Sequence, residues 1–477
     1  MKAAKVYGYD TVRIPLVGNH TNRDSAATKD QIFYNVVIDG IKNTLLGEKA
    51  ENRIFVNKRG AFVADTTIVE AGGAGRGIYY WSRTSKVYTV IANKLYSDTT
   101  LLHTWTTSTG TCWFTEATGS SDVLVVGDGT DLITVSTSDA VVDITDGGLP
   151  TTPITPISMD GYVFVVKSGT DELYNSDVDA PTAWTSGDFI SAEMYPDNLV
   201  AIARHVNYVL AFGSFSIEVF YDAENASGSP LDRNESISFK VGLAARDTIC
   251  QTDKRFFWVG QSQTGEASVW ILDGLAPSKV SNEFIDRILQ AEGSNLSSAT
   301  AWICHHKGHT LYVLNLNART IVYDCDEKIW VDWSINSAST HAVLPFKYAT
   351  QGPNEKILIL HNTDGKVYKL DPTVYQDTAG AILCHIITGK VDMGTMQQKR
   401  QFRLELVADK ESSGTVTVDW SDNDYQSWGT SRSLDLTTRP YTKAGGIFRR
   451  RAYRFKHETN AAFRAEAFEV DFSMSTH

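Results

Sequence analysis

Cys304, His305, His306 and His309 form the densest group of metal-ligating side chains in this 477-residue chain. Ile303-Cys304-His305-His306 reads as the end of one strand, Lys307-Gly308 as a turn, and Thr310–Leu314 as the returning strand. Adjacent residues on a strand point to opposite faces, so only part of a ligand set converges there. A turn or surface cluster is the expectation, and no metal or cofactor site is expected. The run Gly72-Gly73-Ala74-Gly75-Arg76-Gly77 has the composition of a phosphate cradle. It leads into the apolar strand Ile78–Trp81, whereas a phosphate site needs a helix N-terminus behind it. We read it as a flexible lead-in to a strand.

No Walker loop, G-x-S-x-G elbow, H-E-x-x-H or Cys-x-x-Cys pair occurs. A retaining glycosidase needs two carboxylates about 5 Å apart, and no spacing among the acidic residues singles out such a pair. Ser421-Asp422-Asn423-Asp424-Tyr425-Gln426-Ser427-Trp428 is similar to the Asp-box turn of sialidase propellers, which is a structural hairpin and not a catalytic device. No catalytic residue is therefore expected, and the chain is read as a non-enzyme. Arg449, Arg450 and Arg451, with Arg454 and Lys456, make the densest basic run. If the run is a strand, Arg449 and Arg451 share a face, either as a docking patch for an acidic neighbouring subunit or as a solvated sheet face.

The elements that carry these residues are strands. Aromatics make up 11% of the chain and glycine outnumbers proline 35 to 12, a mixture that favours strands joined by tight turns. The net charge of −12 argues against sequence-specific nucleic-acid binding, yet suits a wall past which DNA slides without sticking. The five cysteines (Cys112, Cys250, Cys304, Cys325, Cys384) are scattered and odd in number, which points to reduced thiols and assembly in a reducing cytoplasm. The N-terminal stretch lacks an apolar core of signal-peptide length, and no run of about 20 apolar residues offers a membrane span.

Residues 1–60 read as short strands and loops lying against the body. From about residue 75 a loose repeat sets in: an apolar strand, a Gly, Asn or Asp turn, then a second strand. The first strands end at residues 90, 126, 166, 212, 259, 314 and 360. Four-stranded propeller blades repeat at roughly 40–50 residues, so 61–385 reads as an irregular β-propeller of about six or seven blades. Val280–Leu289 breaks the rhythm, with Phe284, Ile285, Ile288 and Leu289 at helical spacing and Ser281 or Asn282 as N-cap. After 385 the strands alternate apolar and polar residues, and 386–477 reads as a C-terminal β-sandwich. Its 14 basic and 12 acidic residues give +2, leaving −14 for residues 1–385.

The stretch 161–289 resembles the packaged-DNA stabilisation proteins of podophages, the tail-hub or nozzle family. The likeness rests on LYNSDVDAPTAW and FISAEMYPDNLVAI (173–202), on VLAFGSFSIEVFYDAENASGSPLDRNE (209–235), and on VGLAARDTICQTDKRFFWVGQSQTGEASVWILDG (241–274). RTIVYDCDEKIWVDW (319–333) and SDNDYQSWG add to it. The resemblance implies an all-β virion protein assembled on the capsid in the host cytoplasm. It implies a hexameric ring at the end of a short tail, where the chain meets a portal adaptor or head-completion protein, a needle or plug, and tailspikes or fibres. Such a ring would close and conduct the DNA channel, and the family offers no catalytic residues. The alternative is a glycan-binding or glycan-active propeller, which would have to gather aromatics such as Trp81, Trp184 and Trp333 into one pocket.

Overall fold

Each first strand of the sequence repeat is the second strand of a four-stranded antiparallel sheet, and its partner is the third. Val87–Val90, for example, lies within Lys86–Ile91, flanked by Gly75–Trp81 and Lys94–Ser97. The computed structural model describes residues 4–6, 9–18, 31–41, 53–118, 122–252, 255–378 and 380–474. Within them seven such sheets follow one another as blades, at 75–104, 113–143, 153–191, 199–239, 242–279, 300–333 and 346–371. The repeat marks the two middle strands because neighbouring blades cover both of their faces; in the second strand of blade 3, Val163, Phe164, Val165 and Val166 are all fully buried.

The innermost strands of neighbouring blades touch around the ring, including Phe346–Gln351 of blade 7 against Gly75–Trp81 of blade 1, so the ring closes. Blade 7 obtains its fourth strand from Ala61–Ala64, in register with Val367–Asp371. The chain thus locks first and last blades by hydrogen bonds between residues about 310 positions apart. At the seam, Gly365 adopts φ +64° and a Cβ there would sit 1.6 Å from the Ala71 carbonyl oxygen. Only glycine allows the approach in which the Ala71 amide donates to the Gly365 carbonyl.

The expected helix between blades is present as Glu283–Glu292. The Asn282 side chain accepts from the Ile285 amide at 3.0 Å, and Ile285 and Leu289 are fully buried. It begins at Glu283, directly after the expected Asn282 cap, and the preceding Val280 amide donates to the Val269 carbonyl, holding that segment to blade 5.

Strands from Cys384 onward join N-terminal strands and blade 6 in two sheets that pack face to face. One runs Tyr9–Pro15, Arg464–Met474, Lys399–Ala408, Tyr441–Phe448. The other is nine-stranded: the four strands of blade 6 continue through Ile32–Tyr34 into Cys384–Ile387, Ala452–His457, Thr415–Ser421 and Arg432–Asp435. Leu404, Leu406, Phe468 and Val470 meet Val416, Val418 and Phe455 between them. The N-terminal strands are members of both sheets, so propeller and sandwich share a continuous backbone hydrogen-bond network. The short strands and loops expected over 19–30 and 42–52 lie outside the described residues. All five cysteines are free, and burial pushes the Cys112, Cys325 and Cys384 thiols up to about 12.

Candidate functional site

The inner strands surround a central channel containing two adjoining cavities of about 560 and 520 Å³. Blade 5 has a broken inner strand, Gly242–Leu243 and Cys250–Thr252, and the turn Arg246–Thr248 between them projects into the channel. There Asp247 Oδ2 accepts from Thr111 Oγ1 at 2.6 Å, and Thr111 Oγ1 lies 2.9 Å from the Tyr348 hydroxyl. The Arg246 guanidinium pairs with Asp247 at 3.3 Å and stacks over the Trp113 ring at 4.7 Å. Residues from three sides of the ring therefore meet across the axis. Burial, with Asp247 adding to it, pushes the Tyr348 hydroxyl well above its ordinary range. The turn offers a polar crosspiece, and with Asp247 engaged by Arg246 and Thr111 it resembles a fastening more than a general base.

The histidine cluster resolves into separate roles. Lys307-Gly308 is the turn between Thr300–His306 and His309–Asn315. His306 is buried, and desolvation, reinforced by Lys307 and Arg59, pulls its pKa down to about 3. His309 Nδ1 lies 2.8 Å from Asp324 and its Nε2 2.7 Å from Asp39, which together raise it to about 10. Asp326 is close enough to join His309 and Asp324 in a three-ligand group. An imidazolium clamped between two carboxylates has no lone pair for a metal, so the arrangement works as an ionic strut joining the N-terminal strand Val36–Ile41 to blade 6.

The glycine-rich lead-in is more ordered than its composition suggests. Gly75-Arg76-Gly77 already belongs to a strand, and Arg76, 1% exposed, donates to the carbonyls of Ala92, Thr107 and Gly110. Trp81, Trp184 and Trp333 fall in three different hydrophobic cores, so they make no common sugar platform.

The basic run divides in two. Arg449 and Arg450 occupy the exposed bend after Tyr441–Phe448, in place of the continuous strand read from sequence. Arg451 is 1% exposed: Nε and Nη2 donate to Asp422, and Nη1 donates to Gln401 and the Gly445 carbonyl. Arg454 and Lys456 both engage Asp419. Burial works to raise that carboxyl, and the two cations outweigh it, holding it below the usual carboxylate range. Arg450 pairs with Asp424, while Arg449 donates to the Met396 carbonyl.

Sequence reasoning missed two exposed surfaces. One is a cleft of about 980 Å³ at the tips of blades 3 and 4, lined by Asp160, Tyr162, Tyr208, Tyr221, Asp222 and Glu224. The other lies at the sandwich edge, where Arg400 is in register with Ile447, beside Met396, Lys443 and Arg449. The cleft is made of turn residues far apart in sequence, which gave no signal; of the edge, the sequence marked Arg449 alone.

Residues 50–375 match the family model described as bacteriophage P22 Gp10, beta-propeller. The matched span begins before the closing strand Ala61–Ala64 and ends after Val367–Asp371, so it takes in all seven blades. The tail hub protein gp10 of Salmonella phage P22 is 24% identical over 166 residues, covering 33% of this chain and 34% of that protein. The chain therefore aligns with about a third of that relative's length. Among solved structures, a streptogramin B lyase (10% identity, TM-score 0.41) covers 66% of this chain and 97% of its own. The N-terminal domain of Nup159 (10% identity, TM-score 0.40) covers 71% and 98%. Neither structural likeness carries a functional argument.

Proposed function

The chain belongs to the bacteriophage P22 Gp10 β-propeller family of phage tail proteins, and we propose on that footing that it is a tail hub subunit of a short-tailed phage. In this reading six copies form a ring beneath the portal and its adaptor, retain packaged DNA and conduct it at ejection. The propeller, 61–385, serves as scaffold, and the sandwich, 386–477, carries docking surfaces. A needle or plug and tailspikes or fibres complete the neighbourhood, and assembly takes place in the host cytoplasm before the chain resides in the virion. The protein works by binding neighbours, with no reactive centre.

The observation that carries this reading is the family match across the whole closed ring. The channel supports one refinement. The contacts of Arg246, Asp247, Thr111 and Tyr348 cross the propeller axis, and a duplex whose major groove alone is about 12 Å wide does not fit there. The DNA conduit then lies between subunits, with acidic residues facing it. The chain, mixed with the portal and adaptor proteins of its particle, should form six-copy rings seen by electron microscopy. Particles lacking it should lose packaged DNA. A chain that stays unassociated beside both proteins would overturn the proposal, and Lys substitutions in the acidic lumen that leave ejection unchanged would overturn the refinement.

A further inference from the structure

Three turns line the cleft on blades 3 and 4, Asp160-Gly161, Val206-Asn207 and the bend after Asp222, and a fourth, Val178-Asp179, packs beside them, the Asp179 amide donating to the Gly161 carbonyl. Each joins a first strand to a second or a third to a fourth, so all four emerge on the same rim of the propeller. Asp160, Asp177, Asp179, Asp222 and Glu224 gather there without a cationic partner among the described residues. Burial raises Asp188, with Asp177 adding to it, and burial raises Tyr162, with four surrounding carboxylates adding to it. Two of these turns also carry apolar side chains left in water: Val178 is 55% exposed and Val206 58%.

The sandwich edge is the counterpart in charge. Arg400, Lys443 and Arg449 are exposed and have no carboxylate partner among the described residues, and they surround Ile447, 56% exposed, and Met396, 55%. The two surfaces cannot meet within one chain. The sandwich grows from blades 6 and 7, whereas blades 3 and 4 lie across a seven-bladed ring from them. Complementary patches on opposite flanks form heterologous contacts, which close into rings when the rotation allows.

We propose that subunits join head to tail, the acidic cleft of blades 3 and 4 receiving the Arg400–Lys443–Arg449 edge of a second copy. This rests on the ring-forming reading above and names the surfaces that make the ring.

Two charge-reversed full-length chains test it: Asp222→Lys/Glu224→Lys, and Arg400→Glu/Lys443→Glu/Arg449→Glu. Assembly is read by mass photometry, alone and with portal and adaptor proteins. All five positions are on the surface, so thermal midpoints should match the parent chain. Each reversed chain alone should associate at least 100-fold more weakly. An equimolar mixture should regain rings that alternate the two chains, because each reversed cleft then faces a reversed edge. If a reversed chain does not fold, the neutral pair Asp222→Asn/Glu224→Gln should still weaken assembly about tenfold, and raised salt should weaken the parent likewise. Reversed or neutral chains that assemble normally, or folded reversed chains whose mixture fails to assemble, would overturn the assignment while leaving the tail-hub reading intact. A parent chain that never assembles would overturn both.

Discussion

Arg451 and Asp422 form a two-pronged ion pair at 2.7 and 2.8 Å, joining the basic run to the Asp-box-like turn. Two segments that stand apart in sequence are halves of one fastening. Arg451 is buried over the rings of Phe448 and Trp420, at 4.4 and 5.0 Å, so it has packing as well as charge to lose.

Arg451→Ala should destabilise the sandwich by about 3–5 kcal/mol, since it strips partners from Gln401, Gly445 and Asp422 in a closely packed place. Arg450→Ala should change stability by less than about 0.5 kcal/mol, because its pairing with Asp424 is exposed. Denaturant unfolding followed by Trp420 and Trp428 fluorescence compares the two. Equal effects would show that the Arg451–Asp422 pair does not fasten the sandwich.

Much of this architecture is legible in sequence, and the failures share a cause. The two middle strands of each blade repeat visibly because neighbouring blades bury both of their faces. The inner and outer strands escape notice: Trp113–Ala117 faces the channel and Thr100–Thr104 faces solvent, so neither is uniformly apolar. The Glu283–Glu292 helix is evident from its apolar stripe and cap. Ala61–Ala64 gives no hint that its partner is Val367–Asp371, because long-range register leaves no local pattern. For the same reason the basic run announces charge but not that Arg451 turns inward while Arg449 stays out.

The seam of the ring offers a second prediction. All five donors of Arg59 are used: Asn35, the carbonyls of Gly60 and Ser334, and both oxygens of Asp377 at 2.9 and 2.7 Å. Asp377→Ala leaves a fully buried guanidinium without its counter-charge and should cost about 3–5 kcal/mol. Arg59→Met/Asp377→Leu, which removes both charges and keeps apolar volume, should recover part of that loss. Limited proteolysis after residue 64 reports seam opening, and identical cleavage of parent and Asp377→Ala chains would refute the role.

Gly365→Ala should open the same seam from the other side. The added methyl group would overlap the Ala71 carbonyl and face a positive φ, and at least one of the two backbones must move. A drop of at least about 2 kcal/mol is expected, beyond the usual strain of a left-handed alanine. A neutral effect in denaturant unfolding would mean that blades 7 and 1 approach less closely.

Stability should peak near neutral pH because buried histidines pull in opposite directions. Desolvation lowers His306, His341 and His457 to about 3. Below the unfolded value of about 6.5 the unfolded chain takes up protons that these sites refuse, so stability falls as pH drops from 6.5 toward 3. Each contributes up to about 1.4 kcal/mol per pH unit there. His309, raised to about 10 by Asp324 and Asp39, behaves in the reverse sense: its ionic strut is fully present below 6.5 and is lost as pH climbs through 10. Lys58, lowered to about 8 by burial, opposes that loss above pH 8, so the difference between variant and parent is the useful quantity. His457→Gln should flatten the acid limb by about 1.4 kcal/mol per pH unit and leave the alkaline limb unchanged. His309→Gln should remove a destabilisation that the parent shows between pH 7 and 10. Thermal midpoints collected from pH 4 to 10 decide the matter, and two variants with parent-like slopes on both limbs would rule out this assignment of protons.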